Sequence, residues 1–197
     1  MDILNRILPW DGWGGRIMAT VMATGNADME NAAVKLVNLG TDAKVLMIGC
    51  GPGVGVVAAA RRASNGIVIG LDPSEVMVER TRTRCRRARV GHITRVERAA
   101  AESIPLPDRS QDAVVSVNNI QLWSDRAVGL DECVRVLVPD GVLVVLLHTW
   151  AMPDAIPAEE WIAELTADLS ARGVIVESSQ IQRFRSGPAM VLVGRLA

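Results

Sequence analysis

The chain has no tyrosine, one phenylalanine, two histidines and three cysteines among its 197 residues. Cys50, Cys85 and Cys133 fall at unrelated spacings with no CxxC pair. An odd count without a spaced framework excludes a disulfide-stapled scaffold and fits reduced thiols in a cytosolic protein. Long hydrophobic runs are also missing. The longest covers residues 142–147, far below the roughly 18 residues that a bilayer span needs. No basic segment followed by an apolar core and a cleavage site opens the chain, so export is not expected and a cytoplasmic protein is. The net charge of −1 supplies no global pull toward nucleic acid or anionic membrane. Lysine is nearly absent, with 19 arginines against two lysines.

What is present suits a well-filled globule. Hydrophobic residues make up 49% of the chain and mean hydropathy is +0.24, which argues against disorder. A chain of this length fits one α/β domain with a sheet buried between helix layers. Residues 1–197 are expected to form that single domain, with a helical cap over residues 1–40 and a sheet core over residues 43–197. Neither an internal repeat nor a linker is visible.

The most informative stretch is Lys44-Val-Leu-Met-Ile-Gly-Cys-Gly-Pro-Gly-Val-Gly-Val-Val-Ala58. Residues 45–48 form a short apolar run suited to a buried parallel strand. Gly49, Gly51 and Gly53 follow, and then an alanine-rich segment that can continue as a helix. Without Cβ atoms this turn lets backbone approach a ligand closely, and amides at a helix start face it. A second short strand, residues 66–71, ends in Asp72, where a ribose diol would be held. Spacing separates two ligand classes. The dinucleotide fingerprint G-x-G-x-x-G would need glycine at Val54 or Val56, and the observed pattern is G-x-G-x-G instead.

Further strands are expected over residues 93–96, 112–118 and 142–147, with a turn at Pro139-Asp-Gly141 before the last of these. Residues 174–185 and 189–196 complete the set. The short gap at Ser186-Gly-Pro188 makes that final pair an antiparallel hairpin. Helices are expected over residues 74–90, 125–137 and 157–171; Pro157 suits a first helical turn and Arg172-Gly173 ends it. In the cap, apolar stripes predict helices over residues 3–8 and 16–22, and Asn26 or Asp28 is placed to cap a third running to Leu39. Trp10, Trp13, Met18, Met22 and Met29 are candidates for a pocket lining or for core filler.

Six arginines (80, 82, 84, 86, 87 and 89) crowd the 74–90 helix. They wrap around it, and no aromatic residue lies among them to stack bases, so a solvated outer face is expected rather than a nucleic-acid site. Arg84→Ala is accordingly expected to change ligand affinity little. Neither a clustered metal-ligand set nor a nucleophile–base pair is evident.

Gly49-Cys-Gly-Pro-Gly53 after one strand, with Leu71-Asp-Pro-Ser74 after the next, resembles the class I S-adenosylmethionine-dependent methyltransferases. Three later segments continue the resemblance. Asp112-Ala-Val-Val-Ser-Val-Asn-Asn119 is similar to the family's fourth strand. Glu132-Cys-Val-Arg-Val-Leu-Val-Pro-Asp-Gly-Val-Leu143 is similar to its E-x-x-R-V-L-x-P-G-G-x-L segment. Ala101-Glu-Ser-Ile-Pro-Leu-Pro-Asp108 resembles the loop that passes along the adenine. The similarity runs from about residue 43 to the end.

This resemblance implies a doubly wound, mostly parallel seven-stranded Rossmann-like sheet with an antiparallel C-terminal hairpin. It also implies S-adenosylmethionine as cofactor and in-line methyl transfer to an acceptor, expected to be a small molecule. Gly49, Gly51 and Gly53 would pass close to the methionine and ribose moieties, and Asp72 would accept from both ribose hydroxyls. Pro73 and Ser74 would border the adenine, Ala101 and Glu102 would meet its edge, and Asn118 would face the methionine end. His148, at a strand end, is the candidate base for the acceptor. Gln121 and Trp123 also follow strand ends, His92 reads as an exposed turn residue, and Cys50 as small filler.

Two positions depart from the family. Many members carry an acid at the position of Met47, supporting the cofactor's amino end, and Asp at the position of Ala100, which accepts from the adenine amine. Met47→Glu is therefore expected to improve binding, and Glu102 is placed to stand in for the second acid. Two alternatives stay open: a non-catalytic methyltransferase-like binding or scaffold protein, and a nucleic-acid methyltransferase using the arginine helix.

Overall fold

The computed structural model describes residues 26–152 and 156–197. The expected helices over residues 3–8 and 16–22 and the candidate lining residues Trp10, Trp13, Met18 and Met22 lie outside the described residues.

The elements, in chain order, are α1 (Ala27–Leu36), β1 (Lys44–Ile48), α2 (Val54–Arg62), β2 (Ile67–Asp72), α3 (Glu75–Arg87), β3 (Thr94–Arg98) and β4 (Gln111–Val117). They continue with α4 (Arg126–Val136), β5 (Leu137–His148), α5 (Ala158–Ser170), β6 (Val174–Phe184) and β7 (Gly187–Leu196). One seven-stranded sheet runs in the order β3-β2-β1-β4-β5-β7-β6. All pairs from β3 to β5 are parallel, while β7 runs antiparallel between β5 and β6. The doubly wound sheet and its C-terminal hairpin are thus as expected.

Strand periodicity divides the core into two layers. Val45 and Met47 of β1 point to one face with Met29, Ala33 and Val34 of α1, Val56 and Ala59 of α2, and Val78 of α3. Leu46 and Ile48 point to the other, with Leu130, Cys133 and Val136 of α4 and Trp161, Leu165 and Leu169 of α5. Successive side chains of a strand leave on opposite faces, so a strand apolar at every position can only sit between two helix layers. Met29, a candidate for pocket lining, belongs to this core and is fully buried.

Three boundaries differ from expectation by three residues or more, one being α3, which ends at Arg87 rather than Val90. β5 begins at Leu137 rather than Val142, because Leu137 still pairs with Gln111 before the register shifts and Val142 pairs with Ala113. Pro139-Asp-Gly141 is therefore a bulge within the strand, in which Asp140 takes φ 61°. Its carbonyl accepts from Arg195 Nη1 at 2.7 Å. Helix α1 stops at Leu36 rather than Leu39, followed by Asn38 at φ 53°, a residue type that tolerates the left-handed turn ending a helix.

The connections from β1 and β4 leave to opposite faces of the sheet. Ligands of open α/β sheets bind at this kind of topological switch, beyond the carboxyl ends of the strands.

Candidate functional site

A cleft of about 400 Å³ opens at that switch. Its walls come from the turn after β1, the end of β2, residues 98–102 after β3, residues 117–119 and 122–124 after β4, and Asn26 and Glu30 of the α1 end.

The glycine turn is held from all sides. Gly49, Gly51 and Gly53 take φ of 56°, 50° and 80°, left-handed values that other L-residues adopt at a cost. A Cβ on Gly49 would lie 2.5 Å from the Asn119 side chain, and one on Gly53 would lie 2.7 Å from Thr81. At Gly51 nothing is nearer than 3.9 Å, so a side chain there would project into open space beside the cleft. Gly49 and Gly51 line the cleft, whereas Gly53 lies behind it and lets the turn pack on α3.

The turn's amides are largely spoken for. Cys50 N–H donates to Leu71 O at 2.9 Å, and Gly53 N–H to Cys50 O at 3.0 Å. Gly51 N–H donates to Asp72 Oδ2 at 2.9 Å. The turn's carbonyls are held from α3: Thr81 Oγ1 donates to Gly51 O and Arg84 Nε to Pro52 O, both at 2.7 Å. What Gly51 and Gly53 offer a ligand is therefore a surface cleared of Cβ atoms rather than free N–H groups. Arg84, expected on a solvated face, is part of this support. Its neighbours are also engaged within the chain, Arg82 donating to Val96 O and Arg86 to Thr83.

Asp72 ends β2 and is 7% exposed. Its Oδ1 accepts Ser74 N–H at 2.9 Å while Oδ2 accepts that of Gly51, so the carboxylate clamps the turn to the start of α3. Burial raises its pKa above the ordinary carboxylate value, against the opposing pull of the Ser74 and Gly51 bonds. Each oxygen has a second lone pair available to a ligand hydroxyl. Pro73 and Ser74 border the same wall.

Across the cleft, Ala99, Ala100, Ala101 and Glu102 form a small-residue shelf. Oε1 of Glu102 accepts from the Ser124 hydroxyl at 2.7 Å and from the N–H groups of Ser124 and Asp125. Partial burial raises the Glu102 pKa, but these bonds outweigh it and leave the carboxyl below its usual value. Trp123 closes this end, its Nε1 donating to Asn119 Oδ1 at 2.9 Å. Asn119 in turn donates to Ile48 O and Val117 O, tying β1 to β4.

Asn118 lines the cleft at φ 54°. Its Oδ1 accepts from His148 N–H at 2.9 Å and lies 3.1 Å from Nδ1 of the same residue. His148 is 1% exposed. Nε2 meets Ser186 Oγ at 2.9 Å, and that hydroxyl reaches Asp28 Oδ1 at 3.4 Å. Burial lowers the His148 pKa, opposed by Asp28. Both ring nitrogens are thus occupied, and His148 is not among the described residues that line the cleft. Where a base facing the acceptor was expected, the ring is held by Asn118 and Ser186. Gln121 donates to Asn118 O, His92 is exposed, and Cys50 is a buried thiol whose pKa burial pushes well up.

Glu30 was not visible as a site residue. It is buried in the cleft wall at 8% exposure, and burial pushes its pKa up to about 8. Thr81, Arg84 and Asn119 were likewise missed. The one sequence signal for Glu30 is Gly55, a fourth glycine at the same spacing, whose added Cβ would collide with Glu30 Oε2.

A second groove of about 1050 Å³ runs between α2 and α3. Glu75 and Glu79 lie there among Arg61, Arg80, Arg84 and Arg87, so its charge is mixed rather than a purely basic track. Among the described residues no helix is long and apolar enough to cross a membrane.

Comparison with known proteins agrees with this geometry. A family model described as a methyltransferase domain matches residues 46–145. The uncharacterized methyltransferase YdaC of Bacillus subtilis (strain 168) is 26% identical over 159 residues, covering 80% of this chain and 85% of the relative. The 27-O-demethylrifamycin SV methyltransferase of Amycolatopsis mediterranei (strain S699) is 30% identical over 151 residues, covering 73% of this chain but only 53% of the relative. The chain thus spans most of the first and about half of the second. Among solved structures, a putative S-adenosyl-L-methionine-dependent methyltransferase from Methanococcus maripaludis superposes with a TM-score of 0.74 at 19% identity, over 96% of this chain and 94% of that one. That likeness shows the fold.

Proposed function

Since the chain belongs to the methyltransferase-domain family of class I S-adenosylmethionine-dependent enzymes, we propose that it methylates a small-molecule acceptor. S-adenosylmethionine, when bound, supplies a methyl group already activated on a sulfonium. The protein's share of the work is then alignment and exclusion of water.

The observation that carries this reading is Asp72 opposite the Cβ-free turn, with its carboxylate fixed by Gly51 and Ser74. The fit to the cofactor is chemical. Asp72 keeps lone pairs for a vicinal diol, and charge-assisted bonds of that kind are among the stronger ones. Ala99 to Ala101 leave room for a flat base, and Glu102 lines the cleft beside them, placed to stand in for the acid missing at Ala100. Ile48, Met77, Val117 and Leu122 supply apolar wall, which keeps water from the reacting region. Asn118 faces the same space. His148 acts as a positioning residue, holding the Asn118 amide rather than touching the acceptor.

A small acceptor is supported by the rifamycin SV methyltransferase, whose name refers to a small organic molecule. The mixed charge of the α2–α3 groove gives a nucleic-acid acceptor no comparable support. The test is methyl transfer from isotopically labelled S-adenosylmethionine, offered a panel of hydroxylated, amine and quinol compounds beside RNA and DNA. Label in a small compound is the expected result. Label confined to nucleic acid would overturn the small-molecule reading, and tight cofactor binding with no transfer to any acceptor would favour a scaffold role.

A further inference from the structure

Glu30 is the anomaly of the cleft. A carboxylate excluded from water is costly unless it is hydrogen-bonded or paired. Asp72 meets that requirement with two backbone N–H groups, and Glu102 with three donors. Glu30 is as buried as Asp72, at 8% against 7% exposure, yet it has no hydrogen bond or ion pair among the described residues. Its side chain reaches the cleft wall.

The surroundings show where it has been brought. Glu30 Oε2 and Met47 Cε converge on the point where a Cβ of Gly55 would stand, Met47 Cε being 2.6 Å from it. Gly55 lies in the first turn of α2, so room for the carboxylate has been made by omitting a side chain there. Met47 itself is 2% exposed and core-facing. The acid absent from β1 is thus matched by an acid delivered from α1 to the same spot.

Resting on the cofactor reading above, we propose that Glu30 is the residue that receives the ammonium of the cofactor's methionine moiety, replacing from α1 the carboxylate that β1 lacks at Met47. Order along the sheet supports the direction. Ala99 follows β3, Asp72 ends β2, the glycine turn follows β1 and Asn118 follows β4. Met29, beside Glu30, is in contact with Asn118, whose Nδ2 lies 3.7 Å from its sulfur. The unpartnered carboxylate therefore belongs to the end of the cleft away from the adenine shelf. The positive end of the α2 backbone favours an acid at this position, and a cation completes its coordination.

The test compares two ligands by isothermal titration. S-adenosylhomocysteine carries the ammonium, and 5′-methylthioadenosine keeps the nucleoside thioether but lacks the amino-acid end. Glu30→Gln is expected to weaken S-adenosylhomocysteine at least about tenfold, the loss of one charge-assisted bond, and to leave methylthioadenosine unchanged. Met47→Glu alone is expected not to tighten binding, because it sets a second carboxylate against Glu30. In the double variant Glu30→Gln/Met47→Glu, part of the lost affinity should return. Equal effects on both ligands, or no effect on either, would overturn the assignment while leaving the cofactor reading intact. A wild type that binds neither compound would remove the cofactor reading and this inference together.

Discussion

The N–H of Gly51 and the carboxylate of Asp72 meet at 2.9 Å across the turn between β1 and α2. Twenty-one residues apart in the chain, they join the Cβ-free surface to the acid that faces it. The same carboxylate holds the N–H of Ser74, so one side chain organises both a ligand surface and the backbone that carries it.

Asp72→Ala is expected to do two things at once. It removes the acceptor for the cofactor's diol, and it leaves two N–H groups without partners, costing about 1–3 kcal/mol each where they stay dry. Titration with S-adenosylhomocysteine should show most of the affinity gone, and thermal unfolding should show a lowered midpoint. Asp72→Asn, which keeps an acceptor oxygen, should recover part of the stability and little of the binding. Titration curves for Asp72→Ala that coincide with the wild type would contradict the site.

Arg84 supports the turn from behind through Pro52 O. Contrary to the expectation drawn from its helix alone, Arg84→Ala should weaken cofactor binding by a few-fold to about tenfold, the worth of one hydrogen bond at roughly 0.5–1.5 kcal/mol. Arg87→Ala, at an exposed position of the same helix, is the control and should bind as the wild type does.

Glu30 makes the ligand-free protein sensitive to alkali. Its pKa is about 8 when folded against 4.5 as the ordinary value, so between those limits the folded state keeps a proton that the unfolded chain has released. Stability is therefore fully present below the lower value and is lost as pH rises toward the upper one. The buried Cys50 thiol, which interacts with both Glu30 and Asp72, is common to wild type and variant. Glu30→Gln should match the wild type in denaturant unfolding near pH 4.5 and exceed it near pH 8.5, while binding cofactor less well. A difference independent of pH would contradict the burial of a titrating acid there.

His148 works in the opposite direction. Burial lowers its pKa below 6.5, so its contribution to stability is present above that value and is lost as pH falls, when the unfolded chain takes up a proton that the folded ring resists. His148→Gln should flatten this acid limb. As a positioning residue, its replacement should lower turnover roughly tenfold while the rate–pH profile keeps its shape. Disappearance of the acidic limb from the rate profile would instead mark His148 as the catalytic base.

Much of this was legible in the chain because it is local. The run 45–48 alternates between two buried faces, glycine at 49, 51 and 53 is demanded by left-handed backbone, and Asp72 follows its strand directly. Each depends on neighbours a few residues away, and strand period and turn chemistry are written at that range. The bulge at 139–141 was not legible, because Asp140 is held by Arg195, 55 residues later.

Tertiary structure alone decided who supports whom. Met47 looked like a lost acid until α1 brought Glu30 to the same point above Gly55, and Arg84 looked solvated until α3 packed its guanidinium against Pro52 O. His148 looked available until Asn118 and Ser186 took both its nitrogens. Spacing along a chain specifies which way a side chain leaves its own helix or strand. Whether that side chain meets water, a carbonyl or another acid depends on the element packed opposite, and only the folded sheet with its two helix layers supplies that partner.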